Sequence, residues 1–401
     1  MWTPIVLPPG EKAIETKWIF KTKKDGLKKV RLVAKGFQEE PANNVYAPVA
    51  RLPTIRLLIY IAVSRKWEIR QLNVPTAFLN GYVDDDIYIK TPDGVKNKPG
   101  KALKLKRSLY SLHSAPRKCN ERFHNFMEIH DMKRSASDFC LYIGENVWII
   151  IWVDDMLITG EKTQVENLIR LLKGTMIVNY GHEEQISQSS FINKILSKFN
   201  MILCQGMNTP MARDFQVDTE EPVNEKFMFL QLIGSLMYIA TVSRTDISYS
   251  VCYQSRFLNK PTKQLWKAGK RVLRYLQQTQ DLCLTFKLRS DDTLVCYSDS
   301  DWAGDKLDRK SVSGCVLLHG QNKISWGSRK QGTVALSTAE AEYIACATAA
   351  CIQYIAAHWY IAAPVSRVEH GTSKIWSHCT SAAISDETSG SVIPFNQQTF
   401  W

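Results

Sequence analysis

The chain has 401 residues, 45% of them hydrophobic and 22% charged, which suits two or three globular domains. No apolar run reaches the roughly 18 residues of a membrane span, and no charged-then-apolar leader follows Met1, so an intracellular protein is the expectation. Ten cysteines, among them Cys119, Cys140, Cys204 and Cys252, form no C-x-x-C pair, which argues against a zinc knuckle or disulfide framework and for buried free thiols. The net charge of +12 is uneven, because residues 1–120 alone carry 23 Lys/Arg against 10 Asp/Glu. Lys and Arg that displace condensed counterions from phosphates give polyanion binding, although a merely solvated basic surface has the same composition.

In chain order, residues 17–21 and 30–34 alternate basic and apolar letters around Asp25-Gly26, the pattern of a β-ribbon with one charged face. Residues 54–65 carry Ile55, Leu58, Ile59 and Ala62 at helical spacing, placing them on one side of a helix. A strand is predicted over 68–74 and a Lys/Pro/Gly loop over 93–100. Seven apolar residues, 147–153, then meet Asp154-Asp155, with Met156-Leu157-Ile158 beyond them. Two strands joined at a two-residue Asp-Asp turn fit this stretch. A polar linker over 214–224 leads into a helical region, 230–276. Its last helix, from Gln264, turns Leu265, Val272 and Leu276 inward and sets Lys267, Lys270, Arg271 and Arg274 along a basic flank. Strands from Thr293 and an Ala-rich helix over 339–350 predict a separate α/β domain.

Two adjacent acids at the tip of a buried hairpin are a rigid oxygen-ligand platform for hard cations such as Mg²⁺. Nucleotidyl transfer needs such a platform, since two divalent cations about 4 Å apart clamp the attacking and leaving oxygens. A hydrophilic hairpin turn carries the same two letters, so the hairpin by itself leaves both readings open.

More residues bear on the choice. Ile151-Trp152-Val153-Asp154-Asp155-Met156 is accompanied by Arg31-Leu32-Val33-Ala34-Lys35-Gly36-Phe37, Tyr46-Ala47-Pro48-Val49-Ala50, Ala77-Phe78-Leu79-Asn80-Gly81, Ser108-Leu109-Tyr110 and Ala115-Pro116-Arg117. Further along stand Leu232-Ile233-Gly234-Ser235-Leu236-Met237-Tyr238, Arg271-Val272-Leu273-Arg274-Tyr275-Leu276, Tyr297-Ser298-Asp299-Ser300-Asp301-Trp302-Ala303-Gly304-Asp305, Asp308-Arg309-Lys310-Ser311 and Ala341-Glu342-Tyr343. In this order the blocks resemble the reverse transcriptase and RNase H region of copia-type (Ty1/copia) retrotransposon Pol polyproteins, over residues 2–384.

The resemblance implies an α+β fold: a right-hand polymerase with fingers and palm, a connection region, and an α/β RNase H-like domain. It divides the chain into fingers and palm (1–212), a thumb- or connection-like helical region (213–290), and an RNase H-like domain (291–401) incomplete at its C-terminus. It makes Asp154 and Asp155 the catalytic Mg²⁺ ligands, and turns Lys29, Arg31, Lys35 and Arg117 toward nucleic acid or incoming deoxynucleotide triphosphate. Asp299 and Glu342 become the metal-binding acids of the RNase H part, with Glu340 the alternative to Glu342. The implied partners are an RNA template, a DNA primer and deoxynucleotide triphosphates. A Gag particle and integrase would come from intact copies, and the setting would be a cytoplasmic particle or the nucleus.

Departures from the family pattern are equally specific. Asn73 stands where the family has a palm Asp, Ser111 where it has Gly, Ser114 and Cys119 where it has Gln and Trp, and Trp152 where Tyr is usual. A stretch the family carries is skipped between Met176 and Gly181. His378 takes the place of the third RNase H acid, and the fourth is absent because the pattern is lost after Ile384. An amide brings no negative charge to paired cations, and a neutral imidazole is a poor ligand for Mg²⁺. The expectation is a degenerate copy with impaired catalysis; the alternatives are a non-catalytic nucleic-acid-binding remnant and a translated relic without function.

Overall fold

A computed structural model of the chain describes all residues except 23–25, 27, 40–44, 75, 84–85, 98–99, 176–178, 182–186, 214, 218–221, 223–225, 288–292, 360–366 and 371–401. Its contacts fall into two units, Met1–Arg51 with Glu68–His182, and Leu52–Trp67 with Glu183–Trp401. Helices and sheets occur in both, so the fold class is α+β.

The first unit opens with β1 (Trp2–Val6), followed by β2 (Thr16–Thr22) and β3 (Lys28–Ala34), which pair antiparallel as the alternating letters predict. The ribbon does not have one charged face and one buried face. Phe20 is 74% exposed and Val30 50%, beside the lysines. Only the base of the ribbon packs, where Ala34 is buried and its N–H donates to the Tyr110 carbonyl at 3.0 Å. A two-stranded ribbon has no second layer to cover its far end.

Next in the chain come α1 (Leu52–Arg65), which belongs to the second unit, and β4 (Glu68–Asn73), which returns to the first. After them come β5 (Tyr88–Ile89), β6 (Lys101–Leu105), α2 (Ala115–Ile129), β7 (Lys133–Arg134) and β8 (Leu141–Gly144). The first unit ends with β9 (Val147–Trp152), β10 (Asp155–Gly160), α3 (Lys162–Thr175) and β11 (Asn179–Gly181). A small sheet in the order β1-β6-β5 closes over Ile14, Ile89, Leu103, Leu109 and Leu112. The larger sheet, β11-β4-β10-β9-β8-β7, is antiparallel throughout. Leu72, Ile149 and Ile158 are fully buried on it, and Phe123 of α2 meets Tyr142 of β8 edge-on at 5.4 Å.

The hairpin turn lies one residue earlier than the sequence reading puts it. Trp152 pairs with Asp155, so the two turn residues are Val153 and Asp154, and Asp155 is the first residue of β10. The ladder decides this: Asp155 also pairs with Asn73 of β4, which holds it in the sheet. Val153 takes the left-handed conformation, φ +58°, that a two-residue hairpin turn requires.

In the second unit, α4 (Ser189–Lys198), α5 (Lys226–Val242), α6 (Ser248–Ser255) and α7 (Lys263–Gln278) enclose Phe229, Leu232, Leu236, Leu265, Val272 and Leu276. The inward residues of α7 are those its spacing predicts, and Thr262 caps the helix by accepting from the Leu265 N–H at 3.3 Å. Then follow β12 (Leu294–Ser300), β13 (Val312–His319), β14 (Asn322–Lys330), α8 (Thr338–Trp359) and β15 (Arg367–His370). The sheet order is β14-β13-β12-β15, with β15 parallel to β12, and α8 packs against β12 and β13.

Helix α1 corrects another expectation. It is buried on every side over residues 54–62, not along one face, and that stretch includes Arg56. The Arg56 guanidinium lies 3.7 Å from the Trp326 ring centroid and donates to the carbonyls of Ile324 (3.1 Å), Val242 (3.1 Å) and Thr241. Thr241 and Val242 end α5, so the cation sits on carbonyls at the negative end of a helix dipole. Charge-assisted bonds of this kind are worth roughly 1.5–3 kcal/mol each, and orphaned carbonyls add to the loss. Arg56→Met should lower unfolding stability by about 2–4 kcal/mol in urea denaturation.

Backbone conformation also accounts for one family departure. Ser111 has φ +69°, the left-handed region that glycine adopts freely. A Cβ on Gly36 would lie 1.9 Å from the Ser111 carbonyl oxygen, so this segment is pressed directly against the base of the ribbon. Ser111→Gly should raise the urea midpoint by the equivalent of about 1 kcal/mol.

Candidate active site

The antiparallel register of β4, β10 and β9 sets Asn73 opposite Asp155, and Asp155 opposite Trp152. The Asn73 side-chain amide donates to Asp155 Oδ1 at 2.9 Å. Asp155 is only 5% exposed, and its other oxygen, Oδ2, is buried with no hydrogen-bond partner. Beside it, Asp154 is half-buried in the turn, and the Val74 N–H donates to its main-chain carbonyl at 2.6 Å. That bond fixes the turn to the strand carrying Asn73.

Burial pushes the Asp155 carboxyl up to about 6; the Asn73 amide opposes the shift and the Asp154 charge adds to it. Burial also raises Asp154, against its own backbone N–H and the positive charges of Lys29 and Arg31. The fingers ribbon therefore brings two of the sequence-predicted cations to the acids. Arg31 also hydrogen-bonds Tyr110, its guanidinium carbon 5.5 Å from the ring centroid. The sequence reading quotes Tyr110 within a motif and gives it no role. Cys119, where the family has Trp, also feels the Asp154 charge, although burial is the main reason its thiol is pushed up to about 11.

Lys35 and Arg117 lie elsewhere. The Lys35 ammonium is paired with Glu15 at 2.6 Å. It lines a cleft of about 340 Å³ with Lys17, Ile19, Phe37, Ser111 and His113. Arg117 is held on α2 by Glu121, four residues on, at 2.6 Å. Both are engaged by carboxylates of the first unit.

In the second unit the Asp299 carboxyl shares a hydrogen bond with Glu342 of α8; burial raises Asp299 and that bond lowers it. The neighbouring acids have other work. Asp301 accepts from the Val312 N–H at 2.6 Å, while Asp305 is paired with Lys330 (2.5 Å) and Arg256 (3.3 Å). Glu340 belongs to the cap of α8, accepting from the Leu336 N–H at 2.7 Å while its own N–H donates to Ser337 Oγ at 3.1 Å. Of the two glutamates, Glu342 is the one that reaches Asp299. His378 lies outside the described residues.

Residues 1–181 match the family described as reverse transcriptase (RNA-dependent DNA polymerase). The chain is 37% identical over 385 residues to the retrovirus-related Pol polyprotein from transposon TNT 1-94 of Nicotiana tabacum, an alignment covering 85% of this chain and 29% of that protein. It is 35% identical over 377 residues to the corresponding polyprotein from transposon RE1 of Arabidopsis thaliana, covering 85% and 26%. The chain belongs to the copia-type retrotransposon Pol family. It spans less than a third of the length of these Pol polyproteins, within which residues 1–181 form the reverse transcriptase domain. An uncharacterized mitochondrial protein of Arabidopsis thaliana is 30% identical over 222 residues, with 51% of this chain and 92% of that protein aligned. Among solved structures, a foamy viral protease-reverse transcriptase in complex with RNA/DNA hybrid aligns over 90% of this chain and 50% of its own, at 11% identity and a TM-score of 0.49.

Reverse transcriptases of this family use divalent metal ions. The donor set here fits such an ion in part: Asp155 offers a buried, unpartnered oxygen and Asp154 a second carboxylate. Among the described residues, no cluster of three or more His, Cys, Asp or Glu side chains is placed to hold a metal.

Because the folded-state value of Asp155, about 6, exceeds its unfolded value of 3.8, its contribution to stability is full below about pH 4 and lost as pH rises through about 6. In chelator-treated protein, Asp155→Asn should therefore raise the thermal midpoint near pH 7.5 and leave it unchanged near pH 4. Thermal melts at the two pH values check this.

Proposed function

We propose that the chain is the reverse transcriptase and RNase H region of a copia-type Pol polyprotein in which nucleotidyl transfer is crippled at the palm. The Asn73 amide bound to Asp155 carries this reading, since it places a neutral hydrogen-bond donor where a third carboxylate would face the same cation site. Divalent Mg²⁺, when bound, supplies the positive charge that activates the primer hydroxyl and steadies the leaving diphosphate. Asp154 and Asp155 are the residues that would hold it. The hairpin keeps both on rigid backbone, and Lys29 and Arg31 bring positive charge for the triphosphate or template backbone. The uneven basicity of residues 1–120 supports an RNA template and DNA primer as partners.

In the second unit, Asp299 and Glu342 form the nearest approach to an RNase H metal pair, and two carboxyls sharing one proton hold a cation only by giving it up. With His378 in the sequence position of the third acid, RNA cleavage falls below polymerase activity in this reading. A Gag particle and integrase from intact copies would complete the element, in a cytoplasmic particle or the nucleus.

Primer extension on an RNA template with Mg²⁺ or Mn²⁺ tests the reading. Losing one ligand that supplies several kcal/mol of charge stabilisation lowers the rate by at least about 100-fold. Asn73→Asp should extend the primer that much faster than the chain as written. Equal, substantial rates would make this a working reverse transcriptase and sink the account of Asn73. If neither protein extends the primer but both bind primer–template, the chain is a nucleic-acid-binding remnant.

A further inference from the structure

The palm site presents an asymmetry that the loss of one charge does not by itself describe. Asp155 has one oxygen, Oδ1, occupied by the Asn73 amide at 2.9 Å, and one, Oδ2, buried and unpartnered. Two cations sharing a bridging carboxylate need both of its oxygens as acceptors, and a carboxylate already accepting an N–H has one left to give. For Asn73 to become a ligand its carboxamide must turn over, presenting its oxygen to the metal and withdrawing its N–H from Asp155. That turn would place a neutral oxygen, with no net charge to offset the repulsion between two divalent ions.

We infer that this chain's palm takes a single divalent cation, held by Asp154 and the Oδ2 oxygen of Asp155, and that Asn73 shuts out the second by holding Oδ1. The inference rests on the reading of Asp154 and Asp155 as metal ligands and adds the number of ions and the residue that sets it. The Val74–Asp154 backbone bond and the register of Asn73 against Asp155 keep the amide in place, so the exclusion is built into the sheet. The consequence is a site able to bind a metal-borne polyphosphate without the second ion that would activate a hydroxyl.

Counting bound Mn²⁺ by electron paramagnetic resonance tests this in the full chain, carrying Asp299→Asn throughout to silence the second unit's pair. The expected result is one Mn²⁺ per chain with no spin-coupled pair, lost in Asp155→Asn. Asn73→Asp is expected to bind one Mn²⁺ more, as a coupled pair. A coupled pair in the chain with Asn73 intact, or none in a folded Asn73→Asp, overturns the inference while leaving metal binding at the palm intact. Should Asn73→Asp not fold, the chain with Asn73 decides alone: one uncoupled ion supports the inference and a coupled pair defeats it. An Mn²⁺ count unchanged by Asp155→Asn overturns both the inference and the reading of the palm acids as ligands.

Discussion

The register of three antiparallel strands governs the chemistry this chain can do. β4 runs against β10 with Asn73 facing Asp155, and β10 runs against β9 with Asp155 facing Trp152. Side chains alternate across a sheet with a period of two, so a slip of one residue in either pairing would move Asp155 to the opposite face. The buried residues Leu72, Ile149, Met156 and Ile158 prevent that slip, because each would otherwise leave the core. What looks like a local motif of two acids is therefore held by long-range pairing across 82 residues of chain.

The tip of the hairpin stores unfavourable features that the sheet sustains. Val153 is β-branched and left-handed, a conformation that costs about 1–3 kcal/mol. Asp155 is a nearly fully buried acid with one oxygen unpartnered, and burial keeps its proton affinity high. Such features persist where surrounding structure over-determines them, which is the environment of a binding site. The Asn73 amide relieves part of the electrostatic cost by donating to Asp155, so the same substitution that removes a metal ligand also calms the empty site.

A parallel selection among acids operates in the second unit. The run from Asp299 to Asp305 holds three aspartates, and packing gives each a different task. Asp305 is neutralised by Lys330 and Arg256, Asp301 ties the end of β12 to the start of β13, and Asp299 alone faces a helix glutamate. On α8, Glu340 is spent on the helix cap. Arg56 shows the other way a buried charge is accommodated, with carbonyls and an aromatic face in place of a carboxylate.

The sequence alone determined the family, the α+β class, the pair Asp154-Asp155, the vacancy of a carboxylate at position 73 and the inward face of α7. All of these follow from local letters: hydrophobic period, turn residues and ordered motifs. Tertiary structure decided that the turn is Val153-Asp154, that α1 is buried all round with Arg56 inside, that Glu342 and not Glu340 meets Asp299, and that Lys35 and Arg117 are already paired. It also turned Asn73 from a missing ligand into a hydrogen-bond donor on Asp155. Periodicity reports which residues want burial, whereas which polar atom meets which depends on strand register and packing between segments distant in the chain, and no local pattern encodes that.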